Sequence, residues 1–112
     1  MSSVEFIKLD ETAILPTPGD DTNSFFFIYA NKEQTIPRNG IGRVFCGVQL
    51  NESSKDVMLK VESDDEIGIK LGDGIIGAGS TPHEIKVFVI NDSESDITIK
   101  KGDKIAKLRS FA

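Results

Sequence analysis

Residues 72–108 read GDGIIGAGSTPHEIKVFVINDSESDITIKKGDKIAKL, and this stretch decides the fold. Within it Ile85, Val87 and Val89 fall on one side of an extended chain, while Glu84, Lys86 and Phe88 fall on the other. A period of two specifies a strand with one apolar face. From Ile97 to Leu108 the pattern continues as two short strands about a Lys101-Gly102-Asp103 turn, residue types that suit tight reversals.

Upstream the same habit recurs. Val57, Leu59 and Val61 alternate with Met58, Lys60 and Glu62, and after an acidic break at Glu62–Glu66 the alternation resumes at Ile67, Ile69 and Leu71. Ile41–Leu50 reads as one long strand, entered through an Asn39-Gly40 turn signal. Phe25–Ala30 is apolar without interruption, which predicts a strand buried on both faces or covered by a partner. Val4–Leu9 supplies a first strand before a loop rich in Pro and Gly. No segment carries a helical period with caps. The expectation is an all-β jelly roll or barrel-like sandwich, one domain over residues 1–112.

Composition narrows the function classes. With 112 residues, 38% apolar and 28% charged, the chain is an ordinary globular sequence. Its net charge of −5 argues against a nucleic-acid polymer or an anionic membrane surface as the main partner. No run approaches the length of a membrane span and the start lacks a signal-peptide pattern, so an intracellular protein, cytoplasmic or nuclear, is expected. Cys46 and His83 are the only residues of their kinds, which leaves no Cys–His pair, zinc cluster or Ser–His–Asp triad to assemble. Cys46, alternating with Val44 and Val48, reads as a small buried hydrophobe. The acidic run Asp64-Asp65-Glu66 reads as a solvated turn rather than an ion site.

Three segments carry a resemblance to the trimeric dUTPase family. IKKGDKIAKL at 99–108 is similar to that family's I-x-x-G-D-R-I-A-Q-L motif; residues 84–91 follow its G-x-(I/V)-x-V-x-(I/V/L)-x-N frame; and Lys8–Gly19 follow K-L-x-x-x-A-x-x-P-T-x-G. The resemblance covers roughly Phe6 to Leu108 and implies a distorted jelly roll, or β-clip, of the dUTPase-like type. It also implies a homotrimer whose subunits share their sites. In the family an Asp activates the attacking water, a metal ion with its waters holds the triphosphate, and a Gly-rich C-terminal arm closes over it.

Position by position, the resemblance implies lost chemistry. Counting back from Thr35, the A-G-Y-D motif places Phe27 where a carboxylate belongs, and in the G-V-I-D motif Gly77 stands in place of the water-activating Asp. Glycine offers no proton acceptor. The P-R-S-G motif has no counterpart, Val61–Asp65 lying roughly in its place, and Ser80–His83 replace the family's Y-R-G. The expectation is therefore a catalytically inactive member with Phe27 and Gly77 as degenerate pocket positions and no catalytic residue. No metal and no cofactor are expected. It would be a binding, scaffold or structural protein for an unknown protein partner, with a viral origin expected. The alternatives are a deoxynucleotide-binding protein without hydrolysis and an active diphosphatase with a displaced site.

Overall fold

The computed structural model describes residues 4–20, 24–54, 56–64, 69–72, 74–76 and 84–111. Among the described residues twelve strands run in chain order: β1 Phe6–Lys8, β2 Thr17–Pro18, β3 Phe25–Tyr29, β4 Gln34–Ile36, β5 Gly40–Phe45, β6 Val48–Leu50, β7 Met58–Glu62, β8 Lys70–Leu71, β9 Ile75–Ile76, β10 Lys86–Asn91, β11 Ile97–Ile99 and β12 Lys104–Phe111. The sole helical turn among the described residues is a 3₁₀ turn at Glu52–Ser54. The all-β expectation holds.

Every pairing is antiparallel. The largest sheet has the order β2-β3-β12-β7-β9, a second has the order β5-β10-β8, and two-stranded ribbons join β1 to β6 and β11 to β4. Ile28, Leu59, Ile105 and Leu108 of the five-stranded sheet share one buried cluster with Val44, Val87 and Val89 of the three-stranded sheet. The period-two pattern at 84–89 is realised as read: Ile85, Val87 and Val89 are buried, Lys86 and Phe88 exposed.

Three features depart from the sequence pattern. The long strand expected over Ile41–Leu50 is broken at Gly47, whose φ of +70° leaves the β region. A Cβ there would lie 2.7 Å from Asn31 Cγ and 2.8 Å from Ala13 Cβ, so the break also needs the missing side chain. The chain beyond it pairs with β1 rather than continuing along β10.

The second departure lies in β3. Phe26 and Ile28 are buried, but Phe25, Phe27 and Tyr29 are only half-buried on the outer face of the sheet, so the apolar run is not sandwiched. Cations from β12 cover the rings instead: Lys104 Nζ sits 3.9 Å from the Phe27 centroid, while Lys107 Nζ and Arg109 Cζ lie 5.3 Å and 5.1 Å from that of Phe25.

The third is a β-bulge between Lys104 and Ala106, where Lys104 pairs with Tyr29 and Ala106 with Ile28. It turns both Ile105 and Ala106 into the core, each with no exposed surface. Strict alternation would have put Lys104 on the same face as Ala106 and Leu108. The bulge instead places Lys104, Lys107 and Arg109 together on the outer face.

The Lys100–Asp103 turn is locked to the end of β3. Ala30 N–H donates to Asp103 O at 2.9 Å and Gly102 N–H donates to Ala30 O at 2.8 Å. Beside it, Asp10 accepts from Thr12 N–H at 2.9 Å, from the Thr12 hydroxyl at 2.8 Å and from Asn31 Nδ2 at 3.2 Å. The two Thr12 bonds, then Asn31 and the Lys101 charge, hold the Asp10 carboxyl at about 2, below its ordinary 3.8. A carboxyl depressed in the folded state stabilises above its unfolded pKa, and that contribution fades as pH falls from about 4 toward 2. Asp10→Asn is expected to flatten this part of the acid limb in a melting-temperature profile; an unchanged limb would show that the loop bonds do not discriminate the charged form.

Candidate active-site cleft

The segment at 72–91 carries two arms, β9 and β10, that join different sheets. Strand β9 pairs with β7 through Leu59–Ile76 and Lys60–Ile75, whereas β10 pairs with β5 and β8. Between the arms opens a cavity of about 260 Å³ lined chiefly by Val61, Ile75, Ile76, Ile85, Val87 and Phe88, with Glu84 and Lys86 as its charged members. A polar cavity of about 240 Å³ adjoins it, sharing Val61 and Gly72 and adding Lys60, Glu62 and Ser63. An apolar recess continuing into a polar one suits a ligand with a flat ring at one end and charge at the other.

Glycines set the strand spacing around this cleft. Gly72 N–H donates to Phe88 O at 2.9 Å and Val61 N–H donates to Gly74 O at 2.9 Å. Among the described residues β9 pairs on one side only, with β7.

Glu84 is the one carboxylate among the described residues lining the apolar recess, and Glu62 lines the polar one. Glu84 is half-buried, and its Oε2 accepts the Gly47 N–H at 2.9 Å. The positive-φ break at Gly47 therefore aims an amide at this carboxylate and fixes its position. The residue just before β10 is held by Ile85 N–H to Val48 O at 2.8 Å and by Cys46 N–H to Ile85 O at 3.0 Å. Burial, with the Glu84 charge as a smaller cause, pushes the Cys46 thiol up to about 12. Cys46 is thus an inert core residue, as its pattern implied. Sequence reading saw Glu84 only as the polar side of a strand; its partner Gly47 lies far away in the chain, so no local signal marks it.

Of the positions singled out from the family motifs, Phe27 lies on β3 and faces the outer surface of the five-stranded sheet, not the interior of the cleft. Gly77 lies outside the described residues, as do His83, Asp65 and Glu66. The divalent metal that the resemblance implies does not fit the donors present. Phe27 offers no oxygen, Lys104 holds a positive charge 3.9 Å from its ring centroid, and no group of three His, Cys, Asp or Glu among the described residues could hold an ion. No helix among the described residues is long and apolar enough to cross a membrane.

Comparison with known proteins settles the family. The dUTPase family profile matches residues 11–109. The chain is 35% identical over 109 residues to the "Deoxyuridine 5'-triphosphate nucleotidohydrolase" of Debaryomyces hansenii, covering 95% of this chain and 68% of that protein. It is 33% identical over 104 residues to the protein of the same name from Saccharomyces cerevisiae, covering 87% of this chain and 67% of that one. The chain thus spans about two thirds of the length of these relatives. The backbone superposes on the dUTPase of Staphylococcus bacteriophage 80alpha with a TM-score of 0.84 at 16% identity, covering 99% of this chain and 90% of that one, which bears on the fold alone. These findings overturn two expectations. The inactive, non-enzymatic scaffold does not stand, because the similar curated proteins are named as hydrolases, and the viral origin does not stand, because they are yeast proteins. The chain belongs to the dUTPase family.

Proposed function

We propose that this protein is a dUTP diphosphatase that binds the nucleoside in the β9–β10 cleft. The observation that carries the reading is the cleft itself: apolar walls, a strand edge unpaired among the described residues and a carboxylate fixed by the Gly47 amide, in a chain whose yeast relatives are named for this hydrolysis. The apolar lining that includes Ile76 and Phe88 suits a pyrimidine ring, and the edge of β9 that is unpaired among the described residues can offer backbone donors and acceptors to a uracil edge. The sugar then points toward Gly72 and Val61, and the phosphates toward the polar recess at Lys60 and Ser63.

In the reaction a water oxygen bonds to the α-phosphorus and the bond from that phosphorus to the bridging oxygen of pyrophosphate breaks. The water proton must leave as the new bond forms, and Glu84 is the acceptor within the cleft. This assigns catalysis to a position different from Phe27 and Gly77.

The test is pyrophosphate release from dUTP, with dTTP and UTP as controls and the protein mass followed by light scattering. Enzyme-like turnover of dUTP alone is the expected result. A deoxynucleotide-dependent rise in melting temperature without turnover would overturn hydrolysis and leave a binding protein. A homotrimer is part of the proposal, supported by family membership and by Ile41, Ile75 and Leu9, which are 66%, 63% and 49% exposed in the single chain. A monomeric mass would remove that part.

A further inference from the structure

Resting on the diphosphatase reading, we propose that this chain holds the substrate's phosphate chain on its own side-chain cations, in a binding step that needs no divalent metal. The cations are Lys60, Lys104, Lys107 and Arg109 on the outer face of the five-stranded sheet.

Charge distribution is the first ground. The protein carries a net charge of −5, yet among the described residues this face gathers four cations, with Glu62 and Asp64 as the carboxylates paired to them. The bulge at Lys104–Ala106 is the second. Without it Lys104 would turn away from Lys107 and Arg109; with it the three share one face. A device that concentrates like charges opposes folding, so its presence favours an anionic ligand.

Geometry is the third. Across the sheet, Ile75 of β9 pairs with Lys60, Lys60 with Arg109, and Arg109 with Phe25. Strand β9 is the edge strand and also the lip of the cleft. At a strand spacing of about 4.8 Å, Lys60 is one step and Arg109 two steps from that lip. A triphosphate leaving the cleft round β9 meets Lys60 first and the guanidinium next.

The cations are also held ready. Glu62 Oε1 takes Arg109 through Nε at 2.8 Å, which leaves the terminal Nη pair of the guanidinium for a phosphate. Asp64 lies 3.7 Å from Lys107 Nζ. Lys104 has no carboxylate partner among the described residues; its ammonium rests on the Phe27 ring and is exposed. Phe25 and Phe27, edge to face with centroids 5.6 Å apart, are thus the platform for the cations rather than remnants of a metal site.

Calorimetric titrations test this, using dUTP and inorganic tripolyphosphate as separate probes, each with EDTA and with Mg²⁺. Both probes are expected to bind in EDTA within about twofold of their affinity in Mg²⁺, and to lose about tenfold or more in the Lys104→Met/Arg109→Met double variant, as loss of charge-assisted contacts dictates. Methionine keeps the apolar stems, and the EDTA comparison on the unaltered protein needs no variant to fold. Binding that vanishes in EDTA, or a folded double variant that binds both probes normally, overturns the proposal. The two readings fail separately. Metal-free tripolyphosphate binding without dUTP turnover sinks the diphosphatase and keeps the cationic face. EDTA-sensitive turnover with a silent double variant does the reverse.

Discussion

Glu84→Gln is expected to lower dUTP turnover at least about 100-fold, the scale of a lost general base. Gln preserves the side-chain length and an oxygen to accept the Gly47 N–H at 2.9 Å, so the cleft wall stays in place. What it removes is the proton acceptor. The loss should fall on kcat, with KM for dUTP near its original value, because the ring and phosphate contacts come from other residues. Unaltered kcat would remove Glu84 from the chemistry and direct attention to residues 77–83, which complete the segment between the two arms. Loss of kcat together with a fallen melting temperature would mean that the Glu84–Gly47 contact is chiefly structural. Glu84→Asp separates these cases. It keeps the acceptor but withdraws it by one methylene, and a misplacement of about 1 Å can cost about two orders of magnitude in rate.

The fold was legible because its signals are local. Alternation at Glu84–Val89 and at Val57–Glu62 is written in neighbouring residues, and the Lys101-Gly102-Asp103 turn in three consecutive ones. The features that shape the site are not local. The break at Gly47 serves contacts with Asn31, Ala13 and Glu84. The bulge in β12 changes which face Lys104 occupies without leaving a mark on residue types. Phe25 and Phe27 look like core in a run of apolar residues, and only the register Lys107–Phe27 and Arg109–Phe25 shows that cations cover them.

The functional expectation failed for a related reason. Comparing motifs position by position presumes that each chemical role stays at its family position. Phe27 and Gly77 then read as losses, and a carboxylate such as Glu84, which lines the cleft outside those positions, goes uncounted. Named relatives at 35% and 33% identity carry the information that the motif count missed.

Leu108→Ala is expected to cost about 2–5 kcal/mol, the range for emptying a buried leucine site. Leu108 has no exposed surface and lies in the middle of β12, paired with Phe26 on one side and Val61 on the other. For a small domain of total stability about 5–15 kcal/mol, such a loss is a large fraction of the whole. At roughly 4–8 °C per kcal/mol the melting temperature should fall by at least about 8 °C. Lys107→Ala, one residue away on the outer face, is the control. Its ammonium pairs with Asp64 at 3.7 Å on a partly solvated surface, an interaction of about 1 kcal/mol or less. The neighbouring substitutions should therefore separate cleanly: the leucine acts on stability, whereas the lysine acts on the affinity for tripolyphosphate. Equal thermal losses at the two positions would contradict the inward and outward assignment that the bulge in β12 imposes, and with it the shared face of Lys104, Lys107 and Arg109.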